Sequence, residues 1–175
     1  MILNPKLFIL PSDEIKNYGQ TNLIYGSLTN NGLIKMTNII KKYMHNNTSN
    51  IYGLDLGCGD GELIYNLGQL LPESKWDGVE ISEHRIDLKT REVNIWQGDM
   101  LDENFRDYNI LHADNLCLDD NIAEKLENKI VIEFSGIYIT YRKPQLMKFI
   151  KKSIYLDTVI IETTWINHPI HFYKI

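Results

Sequence analysis

The chain has 175 residues, 43% hydrophobic and 23% charged, with a formal net charge of −5 at pH 7. That length suits one domain with a sizeable core, and the only basic clusters are pairs such as Lys41-Lys42 and Lys151-Lys152, so a long cationic grip on nucleic acid is excluded and only weak or local contact is left. Leu7-Phe8-Ile9-Leu10, bracketed by Pro5 and Pro11, is far too short to cross a bilayer and matches a secretory signal poorly, so a soluble intracellular protein with reduced Cys58 and Cys117 is expected.

No low-complexity linker or internal repeat divides the chain, so 1–175 is expected to form a single domain, with 1–30 as an irregular arm and 31–175 as the core. Leu33, Met36, Ile40 and Met44 recur at helical spacing and predict a helix over 33–44. Ile51 to Leu56 reads as a buried strand, and Glu62 to Leu71 as a helix. The alternation then continues with a strand at 76–81, a helix capped by Ser82 reaching about Arg91, and strands at 93–97 and 108–112. Ile122 to Leu126 falls in the next helix, and the apolar run Ile130 to Phe134 is expected to supply a fifth strand. Pro144 fits the first turn of a helix whose apolar face is Leu146, Met147, Phe149 and Ile150. Thr158 to Thr164 and Ile170 to Tyr173 close the order as two strands joined by a turn at Asn167-His168-Pro169. This is the rhythm of a parallel α/β sheet with helices on both faces and a C-terminal antiparallel hairpin, seven strands in all.

The most informative segment is Asp55-Leu56-Gly57-Cys58-Gly59-Asp60-Gly61, placed between a strand and a helix. Glycines at alternate positions allow a sharp turn and close approach of a ligand to the backbone. A dinucleotide site requires Gly-x-Gly-x-x-Gly facing a pyrophosphate, but here the third glycine comes one residue early, Glu62 takes its place, and Asp55, Asp60 and Glu62 would repel phosphate. S-adenosylmethionine carries no phosphate and has an ammonium beside a sulfonium. The segment resembles the cofactor loop of S-adenosylmethionine methyltransferases, which implies a Rossmann-like class I methyltransferase sheet.

Glu80, with Ile81 beside it, ends the second strand where a carboxylate can accept from both ribose hydroxyls. Gln97-Gly98-Asp99-Met100 ends the third, where Asp99 can accept from the adenine amino group while Met100 packs on the ring, although Gly-Asp is also an ordinary turn. His112-Ala113-Asp114-Asn115-Leu116-Cys117 follows the fourth strand and should border the methyl group. It lacks the Asn-Pro-Pro-aromatic or Asp-Pro-Pro-aromatic sequence of enzymes that methylate exocyclic amines of bases. Asn115 can orient an incoming amine, or simply make an Asx turn.

Three segments together resemble the nucleosomal lysine methyltransferases of the disruptor-of-telomeric-silencing class, which do not use a SET fold. Tyr25-Gly26-Ser27-Leu28-Thr29-Asn30 is similar to that family's Tyr-Gly-Glu loop, with Ser27 replacing the glutamate, and the likeness implies that Tyr25, Gly26 and Ser27 cover the cofactor's methionine end. Asp114-Asn115-Leu116-Cys117-Leu118 resembles its Asn-Asn-Phe-Ala-Phe stretch and implies that Asn115 lines the lysine channel. Thr164-Trp165 with Pro169 and Phe172-Tyr173 is similar to its Ser-Trp motif, proline and paired tyrosines, and implies channel walls at Trp165, Phe172 and Tyr173; read without the likeness, the same three aromatics are sheet packing.

The resemblance thus implies methyl transfer from S-adenosylmethionine to the neutral amine of a lysine, with Asn115 and Tyr173 orienting it and S-adenosylhomocysteine as product. A histone or nucleosome is the implied substrate and nucleus or cytoplasm the implied setting, in the host cell if the chain is a compact viral relative. Cofactor contacts are expected from Tyr25, Gly26, Ser27, Asp55, Gly57, Cys58, Gly59, Gly61, Glu80, Ile81, Asp99, Met100 and Asn115. No metal is expected, because His168 and His171 lack a third ligand and read as exposed loop residues. An RNA or small-molecule methyltransferase and a non-catalytic binding module remain as alternatives.

Overall fold

The structure, a computed structural model, describes residues 4–164 and 166–175. Strands β1 (Tyr52–Leu56), β2 (Lys75–Glu80), β3 (Asn94–Gln97), β4 (Ile110–Ala113) and β5 (Ile137–Thr140) are parallel. The last two, β6 (Ile154–Glu162) and β7 (Asn167–Lys174), complete a seven-stranded sheet of order β3-β2-β1-β4-β5-β7-β6, with β7 antiparallel to both neighbours. Helices α1 (Ser12–Tyr18), α2 (Asn30–Tyr43), α3 (Glu62–Leu70), α4 (Glu83–Asp87), α5 (Asp120–Glu133) and α6 (Met147–Lys152) connect them.

Strand alternation divides the core into two layers. Ile137, Ile139 and Phe172 join Met36 and Ile40 of α2 and Ile64 and Leu67 of α3 on one face. On the other, Leu54, Leu111 and Tyr138 pack on Leu126 and Ile130 of α5 and Phe149 of α6. Helices therefore cover both faces. Trp76 lies flat against Gly53 of the neighbouring strand, where a Cβ would come within 2.3 Å of the ring.

Two expectations are corrected. Ile130 to Phe134 is the end of α5 and its cap, not a strand: Ala123, Leu126, Glu127, Ile130 and Val131 are buried at three- and four-residue spacing, and the short run Ile137–Thr140 supplies β5 instead. A local apolar run does not distinguish a buried strand from the inner face of a helix. The turn of the terminal hairpin falls before Asn167, because Asn167, His168 and Pro169 pair with Glu162, Ile161 and Ile160 of β6. Pro169 fits within β7 because the ladder to β5 stops at Thr140 and His171, leaving no β5 partner to require its missing N–H.

Residues 4–30 hold regular elements within the expected irregular arm. Two short 3-10 turns, Pro5–Phe8 and Thr21–Leu23, flank α1, and Leu7 and Leu23 are buried. None of the described helices is long and apolar enough to cross a membrane.

Candidate functional site

The polarity of five parallel strands brings the ends of β1, β2, β3 and β4 to one edge, and β1 sits between β2 and β4, where the connections leave in opposite directions. A cavity of about 280 Å³ opens there. Its floor is Leu56-Gly57, Val79-Glu80-Ile81, Gly98-Asp99-Met100 and Ala113-Asp114, and the arm roofs it with Tyr18, Asn22 and Tyr25-Gly26. Two smaller spaces adjoin it. One, of about 30 Å³, is bordered by Ser27, Asp55, Gly57, Cys58, His112, Asp114 and Tyr141; the other, of about 40 Å³, by Asp114, Leu116, Tyr141, Thr163, Ile166 and His168. Asp114 is common to all three.

Each glycine of the loop has a separate task. Gly57 has φ of 86° and a Cβ there would meet nothing within 4 Å, so its α-carbon faces the open cavity. Gly59 (φ 60°) is backed by the Tyr25 ring, 2.4 Å from where a Cβ would lie, and gives its N–H to Glu80 Oε2 at 2.9 Å. Gly61 (φ 79°) occupies the left-handed cap position of α3 against Val93. Gly59 and Gly61 border none of the three spaces, so they shape the loop, while Gly57 and Cys58 line the open spaces.

Glu80 is 2% exposed, and its second oxygen accepts from Ser82 N–H at 2.9 Å. Burial pushes its carboxyl above the ordinary carboxylate range, opposed by Arg85 and by the two backbone donors. Arg85, buried on α4, was given no role by the sequence reading. Its Nη1 is 3.7 Å from Glu80, Nε donates to Leu7 O, Nη2 donates to Leu23 O, and the guanidinium lies over the Tyr25 ring. Glu14 of α1 accepts from Ser82 Oγ and His84 N, so hydrogen bonds from Glu14 and from Arg85 tie the arm to the segment after β2.

Asp99 borders the large cavity and accepts from Leu101 N at 2.8 Å, combining the two roles weighed for it, ligand wall and turn. Tyr25 reaches Asp60 with its hydroxyl at 3.5 Å; burial, then the charges of Asp60 and Asp55, raise its phenol far above normal. Burial also raises the Cys58 thiol, so no thiolate is available there. Burial raises the Asp114 carboxyl, with His112 and His168 pulling it down and Asp55 pushing it up.

The expected acceptor residues are placed differently. Asn115 is 2% exposed and borders none of the spaces. Its oxygen accepts from Thr140 Oγ1, Tyr141 N and Arg142 N at 2.7, 3.1 and 3.0 Å, and its nitrogen faces Tyr138 Oη at 3.4 Å. It fastens the loop after β4 to the loop after β5, leaving no free oxygen to orient an amine. Phe172 is fully buried in the sheet core, and Tyr173 packs against Phe149 and Tyr155. Because β7 runs antiparallel, it enters at the catalytic edge and leaves from it: Tyr173 pairs with Tyr138, while the residues near the edge are His168 and His171. Trp165 lies outside the described residues. His168 is half-buried and stacked on Tyr141 at 6.1 Å, and His171 is buried with Nδ1 2.7 Å from Thr158 Oγ1, so neither is an exposed loop residue.

His112 is the other residue left without a role. β4 pairs it directly with Asp55 of β1, and Nδ1 lies 2.7 Å from Asp55 Oδ1, both side chains being buried. The carboxylate accepts from Nδ1, so that nitrogen carries a proton. Nε2 is buried and has no hydrogen-bond partner among the described residues. A buried polar atom left without a partner costs about 1 to 3 kcal/mol. The alternation of β4 made its inward direction legible; its pairing with Asp55 was not, since sequence does not give strand register.

No family model matches the chain. A tRNA (guanine-N(7)-)-methyltransferase of Porphyromonas gingivalis is 32% identical over 101 residues, 57% of this chain, and the match spans 35% of that protein. Two solved structures share the fold over 99% of this chain and 98% of their own, each with a TM-score of 0.63. They are magnesium protoporphyrin IX methyltransferase from Synechocystis with bound S-adenosylmethionine, 14% identical, and a proposed RNA methyltransferase from Pyrococcus horikoshii, 18% identical. The fold is the Rossmann-like methyltransferase fold with antiparallel strands at its C-terminal edge.

Proposed function

We propose that the chain is an S-adenosylmethionine-dependent methyltransferase whose acceptor is a nitrogen of an RNA base. The observation that carries the cofactor is charge. Asp55, Glu80, Asp99 and Asp114 border the large cavity and its extension, and Arg85 is the one Lys or Arg lining them among the described residues. Such a site selects a ligand bearing positive charge. The residues fit the cofactor: the Gly57 α-carbon opens onto free space, with the acids Asp55 and Glu80 bordering the same spaces.

When bound, S-adenosylmethionine supplies a methyl group made electrophilic by its sulfonium. The chain's part is binding and alignment. Glu80 keeps lone pairs on both oxygens for ribose hydroxyls, Ile81 and Met100 give apolar walls, and Tyr25 closes the glycine loop from above. Asp114, shared by all three spaces, is suited to accept an N–H of the acceptor and hold the neighbouring nitrogen toward the methyl. The stacked Tyr141 and His168 wall the outer space as a planar base requires.

RNA is supported over the other acceptors by the tRNA methyltransferase relative and by the Pyrococcus neighbour. A protein-lysine acceptor draws less support, since Asn115, Phe172 and Tyr173 border none of the three spaces. A small-molecule acceptor is the second reading, favoured by the net charge of −5 and the apolar outer space. The test is incubation with labelled S-adenosylmethionine and, in parallel, bulk RNA, core histones or nucleosomes, and a metabolite extract, with mass spectrometry locating the mark. Label in RNA is expected; label confined to protein or metabolite overturns the RNA reading.

A further inference from the structure

The acidity of the chain is not spread evenly. All 23 Asp and Glu residues lie outside residues 134–156, a stretch that holds Arg142, Lys143, Lys148, Lys151 and Lys152. Most of that stretch folds into β5, the loop after it and α6. Arg142 is used inside the fold, where it donates to Leu118 O and Asp120 Oδ1. The four lysines are exposed, and none forms an ion pair among the described residues. Glu127, the acid of α5 that touches this segment, is buried and accepts with its two oxygens from Gln145 N and Leu146 N. We propose that these four lysines form a track for the phosphates of the RNA strand that flanks the acceptor base, leading from the outer space along α6.

The placement ties the lysines to the acceptor side. Tyr141, which walls the outer space, stands two residues before Lys143. Burial, then the charge of Lys143, holds the His171 imidazole below its usual pKa, so Lys143 lies by the part of β7 that pairs with the end of β5. From there α6 runs beside α5: Lys148 Nζ donates to Asn128 Oδ1, and Lys152 Nζ, one turn further, to Val131 O. Lys148, Lys151 and Lys152 are three and four residues apart and share one side of the helix, while Phe149 is buried beneath it. Each ammonium keeps donors to spare with no carboxylate to neutralise it, which suits phosphate. A lipid surface would attract the same charges, but Met147 and Ile150 are the only exposed large apolar side chains on the six-residue α6, too little area to bury in a bilayer. The track thus supplies locally the attraction for RNA that a net charge of −5 withholds overall.

The inference rests on the RNA reading, and measuring binding and transfer separately keeps the two apart. The full chain is titrated into fluorescently labelled bulk RNA over a series of salt concentrations, beside the triple variant Lys143→Gln, Lys148→Gln, Lys151→Gln, which spares Lys152 and its bond to Val131. Each phosphate contact to a single strand contributes about −0.7 to the slope of log K against log salt. The triple variant should therefore lose about 2 from that slope and about tenfold to a hundredfold in affinity at physiological salt. Lys143→Gln alone should lose about 0.7 from the slope, a reading that survives if the triple variant fails to fold. A control that removes equal charge elsewhere, Lys41→Gln, Lys75→Gln, Lys89→Gln, should stay within about 0.5 of the wild-type slope. In the transfer assay the α6 variant should raise KM for RNA with kcat close to wild type. Equal losses in variant and control, or an unchanged slope in the α6 variants while RNA is still labelled, overturn the track and leave the RNA reading standing. Tighter binding to phosphatidylserine vesicles than to RNA assigns the surface to a membrane and also overturns it. RNA that takes up no label sinks both.

Discussion

Arg85 and Glu80 approach to 3.7 Å with both side chains buried, and the same guanidinium donates to the carbonyls of Leu7 and Leu23. One cation thus holds the acid expected at the ribose and the arm that roofs the cavity. Removing it leaves Glu80 buried without its counter-charge.

Arg85→Met should therefore destabilise the chain by about 3 to 5 kcal/mol, the cost of breaking one partner out of a buried ion pair. It should also release the arm. Limited proteolysis within residues 4–28, compared with urea unfolding of the whole chain, separates the two effects: cleavage in the arm ahead of global unfolding is expected, and an arm that stays protected would refute the link.

Asn115→Ala should act on stability more than on chemistry. It leaves Thr140 Oγ1 and the N–H groups of Tyr141 and Arg142 without their shared acceptor, a loss of about 3 kcal/mol that corresponds to roughly 6 to 12 °C in Tm for a chain of this size. Transfer assayed well below the lowered Tm should stay close to the wild-type rate. A large fall in kcat with an unchanged Tm would return Asn115 to the acceptor site.

Gly57→Ala and Gly59→Ala should divide by mechanism. Both residues have positive φ, so each substitution costs about 1 to 2 kcal/mol of backbone strain. A methyl at 57 meets no protein atom but enters the cavity, so it should weaken S-adenosylhomocysteine binding and leave the arm in place. At 59 it collides with the Tyr25 ring, so it should loosen the arm as well. Calorimetry with arm proteolysis reads both; equal arm exposure in the two variants would contradict the assignment.

Burial raises the Asp60, Glu80 and Asp114 carboxyls above the ordinary carboxylate values near 4. Acids held above their unfolded values favour the folded chain fully below those values, and that contribution is lost as pH rises through the raised ones. A cationic ligand favours the ionised forms and pulls them back down. S-adenosylmethionine affinity should accordingly climb from about pH 4 upward and level off once all three are ionised, with protons released on binding over that rise. Calorimetry in two buffers of different ionisation enthalpy measures the release; proton uptake on binding would reverse the argument.

Much of the architecture was legible in the chain. The strand at 51–56, the glycine loop and the helix after it are local: they need only an apolar run, residues that accept positive φ, and a 3.6-residue period. The same is true of Glu80 at a strand end, whereas Tyr25-Gly26 as a covering segment was implied only by the family resemblance. Ile130 to Phe134 was misassigned because five apolar-rich residues suit either a strand or the inner face of a helix, and only the packing of Leu126 and Ile130 beneath the sheet decides between them.

By itself the sequence determined the loop at Asp55 to Gly61, the alternation of strands and helices that makes the sheet, and the excess of acid that suits a cationic cofactor over a phosphate. The acceptor side it did not determine, because that side is assembled by pairings between residues far apart in the chain. Register across β1 and β4 set His112 against Asp55, the direction of β7 brought His168 to the catalytic edge and carried Tyr173 away from it, and burial turned Asn115 into a fastener. A side chain's chemistry is written in its type, but whether that chemistry faces a ligand or is consumed by a neighbour is fixed only when distant strands meet.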